Sequence, residues 1–214
     1  MSCEVFILEK GVESVMLLDL LQKRFSCRAF SDRKIDNEII SYILECGRLS
    51  ASGGNEQPWK FGVIQNKDII NKISGAASIN YSQKWIAKAP LVIVLCSQLF
   101  DCMNESIGLN RFPSMKSRIK ELDNDLYAAI NMEEHQTKIP GEHMVLAALE
   151  QGIYSTWISS IDCEKVGELI GAEGYLVSNV IAFGYPENFR TPTPKKDLDT
   201  ITFTDSFSNQ GFMI

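Results

Sequence analysis

Apolar residues recur at helical spacing over Ser14–Arg24, where Val15, Leu17, Leu18, Leu20 and Leu21 are set among Asp19, Gln22 and Lys23. The pattern predicts an amphipathic helix. A second helix is expected after Asp36, a residue suited to N-capping, with Ile39, Ile40, Ile43 and Leu44 on its buried face and Gly47 near its end. Lys60–Gln65 reads as a strand through Phe61, Val63 and Ile64, and Asn66 or Asp68 then opens a short helix reaching Ile73. The run Leu91–Cys96 is continuous, apolar and β-branched, as in a central strand buried on both faces.

From Asp101 to Pro140 the chain turns polar, contains Gly108 and Pro113, and carries a helical stretch from Ser117 to about Glu134. We read residues 101–140 as an excursion over the core, a lid with Phe112, Met115 and Tyr127 as candidate substrate contacts or packing residues. Gly141–Gln151 then predicts a buried helix, with Met144, Val145, Ala147, Ala148 and Leu149 inside and Gly152 as its stop. Strands follow at Ile153–Ile158 and Leu176–Phe183, separated by a helix around Glu164–Ile170. In the tail, Pro192 and Pro194 precede the alternating segment Asp199–Thr204, which reads as a strand at the end of an extended arm spanning residues 191–214. Such an arm commonly reaches a partner subunit or an open sheet edge.

Composition narrows the class. The 214 residues suffice for one sizeable core and predict a single domain over 1–214. A net charge of -6 argues against a general nucleic-acid binder, whose footprint is basic. No window approaches the ~18 uninterrupted apolar residues of a membrane helix, and the first residues lack the basic start and apolar stretch of a signal peptide. The cysteines (Cys3, Cys27, Cys46, Cys96, Cys102, Cys163) are scattered, with no Cys-x-x-Cys pair. Reduced thiols in a cytoplasm are the simplest reading, and no metal site is expected.

Catalytic motifs are scarce. Of the two histidines, His143 lies in an apolar helix and reads as a packed histidine satisfied by a neighbour, and no Gly-x-Gly-x-x-Gly or P-loop run exists. Two segments stand out instead. Ser50-Ala51-Ser52-Gly53-Gly54-Asn55-Glu56-Gln57-Pro58-Trp59 combines small residues, which let backbone approach a flat ligand, with amides that can meet a heterocycle edge. Taken alone it is equally a surface turn ahead of a buried Trp. Upstream, Arg24-Phe25-Ser26-Cys27-Arg28 places two guanidinium groups about a hydroxyl, and Lys195-Lys196 adds distant cations. Such donors suit a phosphate monoester, though each pair alone is also ordinary solvated charge.

Taken in order, Arg24-x-Ser26-x-Arg28-x-Phe30, Ala51-Ser52-x-x-Asn55-x-Gln57-Pro58-Trp59, Ala89-Pro90, Gly152-Ile153-x-x-x-Trp157-Ile158-Ser159-Ser160 and Phe183-Gly184-Tyr185-Pro186 resemble the FMN-dependent nitroreductase family over about Leu17–Leu198. The resemblance implies an α+β fold, with a central, mainly antiparallel sheet flanked by helices, in an intertwined homodimer with FMN at the interface. It implies that Arg24, Phe25, Ser26 and Arg28 bind the cofactor, with Lys195 and Lys196 completing its phosphate site. Ser52, Gly53 and Asn55 would come from the other subunit, and Ser159 and the Ser160 backbone N–H would face flavin N5. Many members carry Asn and Lys before the Ala-Pro strand; here that stretch reads Ser82-Gln83-Lys84-Trp85, with Lys84 as the substitute. The implied activity is ping-pong transfer from NADH or NADPH to a small-molecule acceptor such as a nitroaromatic or quinone. A reductive dehalogenase, a flavin-cleaving enzyme and a non-enzymatic flavin-storage protein are the alternatives on the same site.

Overall fold

A computed structural model describes residues 17–77, 83–98 and 132–208. Four strands form one antiparallel sheet: β1 (Trp59–Ile64), β2 (Leu91–Gln98), β3 (Tyr154–Ile158) and β4 (Tyr175–Gly184), in the order β1-β2-β4-β3. Six described helices accompany it: α1 (Leu17–Lys23), α2 (Asn37–Arg48), α3 (Lys67–Ala76), α4 (Met132–Glu150), α5 (Cys163–Ile170) and α6 (Leu198–Ile201). The expected α+β architecture is therefore present.

The alternation of strand side chains divides the core into two layers. On one face Val92, Val94, Val180 and Ala182 pack with Ile70 and Ile73 of α3 and Val166 of α5. On the other, Leu91, Ile93, Leu95, Ile181 and Phe183 pack with Ile43 of α2 and Met144, Val145 and Ala148 of α4. Both faces are covered, which is why Leu91–Cys96 reads as an unbroken apolar run: Leu91–Leu95 are all 0% exposed. Each such side chain contributes about 1.5–3 kcal/mol on burial.

Local chemistry sets several boundaries. Asn66 caps α3, its side chain accepting from the N–H groups of Asp68 and Ile69, and the helix runs to Ala76, beyond the expected Ile73. Asp36 does occupy the N-cap of α2, but its side chain makes no capping hydrogen bond. Asp162 caps α5 through Lys165 N–H, and Gly171 closes that helix in the left-handed region.

Two expectations are corrected, and one expected helix is found with its apolar face bare. The helix expected to begin at Gly141 is described over Met132–Glu150 with Pro140 inside it, so the last part of the supposed 101–140 excursion belongs to a core helix. Pro140 and Gly141 are both buried, and packing of this segment outweighs the missing proline N–H. Residues 198–201 form a short helix rather than a strand. Thr200 Oγ1 donates to Asp197 O at 2.7 Å and Thr202 Oγ1 to Leu198 O at 3.0 Å, local bonds that favour a turn over pairing. Helix α1 has no buried residue: Leu17, Leu18 and Leu21 are 57%, 62% and 43% exposed. Phe112, Met115 and Tyr127 lie outside the described residues.

Candidate functional site

The segment after α1 is bound to the outer edge of β3. Ser26 forms a parallel bridge with Ser155, Cys27 N–H donates to Ser155 O at 3.1 Å, and Thr156 Oγ1 donates to Cys27 O at 2.6 Å. The strap continues past β4: Phe30 bridges Pro186, Ser31 N–H donates to Tyr185 O, and Glu187 N–H donates to Ala29 O. Extended backbone sends alternate side chains to opposite sides. Phe25 and Cys27 accordingly point inward, 8% and 2% exposed, leaving half-buried Arg24 and exposed Ser26 and Arg28 outside. Phe25 anchors the strap on Tyr154, with ring centroids 4.6 Å apart, and burial pushes the Cys27 thiol upward.

Arg28 extends over the Trp85 ring, 5.9 Å from its centroid, and Phe30 meets the same ring at 6.3 Å. Trp85 stands in the 3-10 helix Lys84–Lys88, so this contact brings Lys84 to the strap's end of the fold. Gln83 fixes the join: its buried amide donates to Ala77 O at 2.9 Å and to Ser160 O at 3.0 Å. Trp85 thus ties the 3-10 helix to Arg28, and Gln83 ties the start of the same helix to Ser160.

Among the described residues no carboxylate pairs with the positive charge here. Among the described residues the ion pair present is Glu45–Arg48, on α2. Arg24, Arg28 and Lys84 therefore have no carboxylate partner among the described residues, and neither have Lys195 and Lys196, which lie exposed in the C-terminal segment. That segment begins beside the strap, because Phe189 packs edge-on against Tyr154 with centroids 5.8 Å apart. Nearby Arg190 pulls down the Cys27 thiol that burial raises, which puts a further cation close to the strap.

Ser52, Gly53 and Asn55 lie elsewhere in the same chain. Gly53 N–H donates to Gln136 Oε1 on α4 at 2.6 Å, and Ser52 Oγ accepts from Gln57 N–H at 2.9 Å. No backbone hydrogen bond or ion pair joins this loop to the strap among the described residues. Its backbone is unusual: Gly54, Asn55 and Gln57 all have positive φ, at 57°, 57° and 49°. Side chains held there carry strain that the surroundings must enforce. His143 supports the loop's base, its Nδ1 lying 2.7 Å from Ser50 Oγ.

Gln83, Gln136 and Arg190 escaped the sequence reading. The first two are long amides without motif context; their signal is the company of Lys84 in one case and the first turns of α4 in the other.

An antiparallel sheet covered by helices on both faces, with a cation-bearing strap on its β3 edge, defines an α+β protein. The chain belongs to the nitroreductase family, whose model matches residues 21–185. It is accordingly an oxidoreductase of that family. A relative from Archaeoglobus fulgidus, provisionally named an NADH dehydrogenase/NAD(P)H nitroreductase, is 28% identical over 176 residues, 80% of this chain and 86% of its own. A Clostridium difficile 630 structure, described as a nitroreductase family protein, has a TM-score of 0.67 at 26% identity, covering 88% of this chain and 97% of that one. A second, from Clostridium difficile R20291 and described as an FMN-dependent nitroreductase, shares the fold with a TM-score of 0.66 at 21% identity, over 89% and 99% of the two chains. Among the described residues, no helix is long and apolar enough to cross a membrane.

Proposed function

We propose that the chain is an FMN-dependent oxidoreductase taking electrons from NADH or NADPH and delivering them to an electron-poor small molecule of nitroaromatic or quinone type. The observation that carries this reading is the strap: Arg24, Ser26 and Arg28 stand on the outward side of one extended segment on the β3 edge, without carboxylate partners among the described residues. These donors fit a phosphate monoester joined to a flat polar ring, which is the chemistry of FMN. The name of the Clostridium difficile R20291 structure is in keeping with it.

When bound, FMN supplies the hydride and electron chemistry, accepting from the nucleotide and giving to the acceptor in alternating turns. The chain's own residues bind and orient. Arg24 and Ser26 offer charge-assisted and neutral donors to the phosphate end, with Lys195 and Lys196 as further cations. Arg28, braced on Trp85, offers positive charge to the ring's pyrimidine edge, favouring the ligand's more negative state. Ser159 and the Ser160 backbone N–H hold the ring's centre, and Gln83 fixes their position by engaging Ser160 O. Hydride transfer needs no protein acid or base, which suits a site without paired catalytic carboxylates or histidine.

The same proposal includes a homodimer in which Ser52, Gly53 and Asn55 complete the partner's site. It is supported by apolar side chains left bare on a single chain: Leu17 and Leu18 of α1, and Leu198, Ile201, Phe203 and Phe207 at 60%, 62%, 53% and 79% exposure. Sedimentation at twice the chain mass is expected, and a monomer that retains flavin overturns this part.

An absorbance spectrum followed by anaerobic addition of NADH, then NADPH, tests the function. A yellow protein bleached by either nucleotide is expected. A colourless protein that cannot be reconstituted with FMN overturns the reading, and a yellow one that neither nucleotide bleaches points to the storage alternative.

A further inference from the structure

One buried polar group is left unanswered by its surroundings. Asn179 on β4 is 6% exposed, and its Oδ1 has no hydrogen-bond partner among the described residues. Buried polar atoms are almost always paired, so an orphan calls for a physical reason. Its position is set by a bulge. Leu95 pairs with Asn179 and Cys96 with Val177, which leaves Ser178 as an extra residue in β4, and Ser178 Oγ donates to Leu95 O at 3.2 Å. Bulges re-aim the side chains beside them. Here Ser178 and Asn179 both line a cleft of about 500 Å³ between the sheet and α4. Trp157 and Ser159 form its β3 side, and Lys138 and Glu142, one turn apart on α4, form the other. Through Ser159 the cleft adjoins the segment assigned above to the flavin ring.

We propose that this cleft is a subsite for an aromatic primary carboxamide, whose N–H and C=O pair with the Asn179 carboxamide while its ring lies along Trp157. An Asn side chain offers an acceptor and two donors in one plane, and its terminal torsion is soft, so either end can turn to a ligand. Another primary carboxamide is the self-complementary match. Trp157 provides a flat apolar wall for the attached ring. Lys138 and Glu142 bring opposite charges to the same cleft, so neither an anion nor a cation is favoured and a neutral ligand suits it. The volume lies within the ~300–1,000 Å³ range of small-molecule sites. Such a carboxamide belongs either to the nicotinamide end of NADH and NADPH or to an acceptor bearing an amide, and only this choice of source rests on the oxidoreductase reading.

Saturation-transfer NMR on the full chain, as purified, with benzamide and methyl benzoate as probes, tests the subsite. The probes match in size, and the ester lacks N–H donors. Benzamide is expected to bind about tenfold more tightly, the discrimination of one buried hydrogen-bonding group, and Asn179→Leu to abolish the difference. Should that variant fail to fold, a magnetisation transfer between benzamide and the Trp157 indole in the unaltered protein supports the proposal by itself. Equal binding of the two probes, or binding of neither, overturns it. Kinetic arms separate the sources. A roughly tenfold rise in KM for NADH or NADPH in Asn179→Leu assigns the nicotinamide. A loss confined to 4-nitrobenzamide relative to methyl 4-nitrobenzoate assigns the acceptor, and no change in either removes the cleft from the reaction. Selective benzamide binding by a protein that takes no FMN refutes the FMN-dependent reading proposed above and leaves the subsite standing.

Discussion

The side-chain amide of Gln83 donates to the carbonyl of Ser160 at 3.0 Å and to that of Ala77 at 2.9 Å. One buried side chain thereby ties the end of α3, the 3-10 helix that follows it and the turn after β3. Replacing Gln83 by Leu leaves two carbonyls without their donor. The expected cost is about 1–3 kcal/mol of stability, read as a lower urea midpoint. Flavin content should fall as well, because the Ser159–Ser160 turn loses its brace. Full flavin occupancy in a destabilised variant would limit Gln83 to a structural role.

Arg24→Ala and Arg28→Ala separate ligand binding from folding. Neither guanidinium has a carboxylate partner among the described residues, so removing it frees no buried charge. Far-UV circular dichroism should be unchanged in both. Loss of a charge-assisted hydrogen bond, about 1.5–3 kcal/mol, should raise the FMN dissociation constant tenfold or more. Arg28→Ala also forfeits the contact with Trp85, so a fluorescence change is expected in that variant alone. Unaltered retention of FMN in both would contradict the assignment of the strap.

Two helix glycines should respond differently to an added methyl group. At Gly141 a Cβ would lie 2.5 Å from the half-buried Trp157 ring and 2.7 Å from fully buried Leu95. Gly141→Ala is expected to lower stability by about 1–3 kcal/mol through overpacking. At Gly47 the obstruction is Met144 alone, whose Cγ would lie 2.9 Å away; this unbranched side chain can shift at some cost within the core, and alanine's helix preference of up to ~1 kcal/mol offsets part of it. Thermal unfolding should show a clear fall in Tm for the first and little or none for the second. The reverse order would mean that the packing of α4 differs from that described.

Alkaline pH should destabilise the fold through its buried thiols. Burial pushes Cys96 from its ordinary 9.0 up to about 11, with nearby Lys60 opposing weakly. The folded thiol keeps its proton to higher pH than the unfolded one. Its contribution is therefore complete below pH 9 and is lost as pH rises from 9 to about 11, at no more than about 1.4 kcal/mol per pH unit. Cys27 is raised in the same sense. Urea midpoints at pH 8 and pH 10 should converge in Cys96→Val relative to the unaltered chain; an identical pH dependence in both would show that Cys96 is hydrated.

Elements governed by local pattern were legible in the sequence. The apolar run at Leu91–Cys96 and the 3.6-residue period of α2 required nothing beyond their own residues. What failed depended on distant packing. Pro140 reads as a boundary until Trp157 and Leu95 are seen against Gly141. The alternation at Asp199–Thr204 serves a strand or a turn equally; hydroxyls bonding nearby carbonyls favour a short helix over Leu198–Ile201, and extended pairing survives only as a bridge at Phe203. In the site, the Arg24–Arg28 motif was visible because strap residues are adjacent in sequence. Gln83 and Asn179 were not, since the role of each depends on a partner, or the lack of one, that no spacing records.

The strand order also governs the sequence in which the molecule can be made. Strand β2 finds one neighbour, β1, already synthesised, but the other, β4, follows some eighty residues later. The strap's pairing with Ser155 and Pro186 spans a still longer separation. A ribosome must therefore release most of the chain before its most hydrophobic strand is enclosed. Until then that strand presents an open backbone edge to any other chain nearby. Slow closure of such distant pairings makes the interval between synthesis and native structure the most aggregation-prone time in this protein's life.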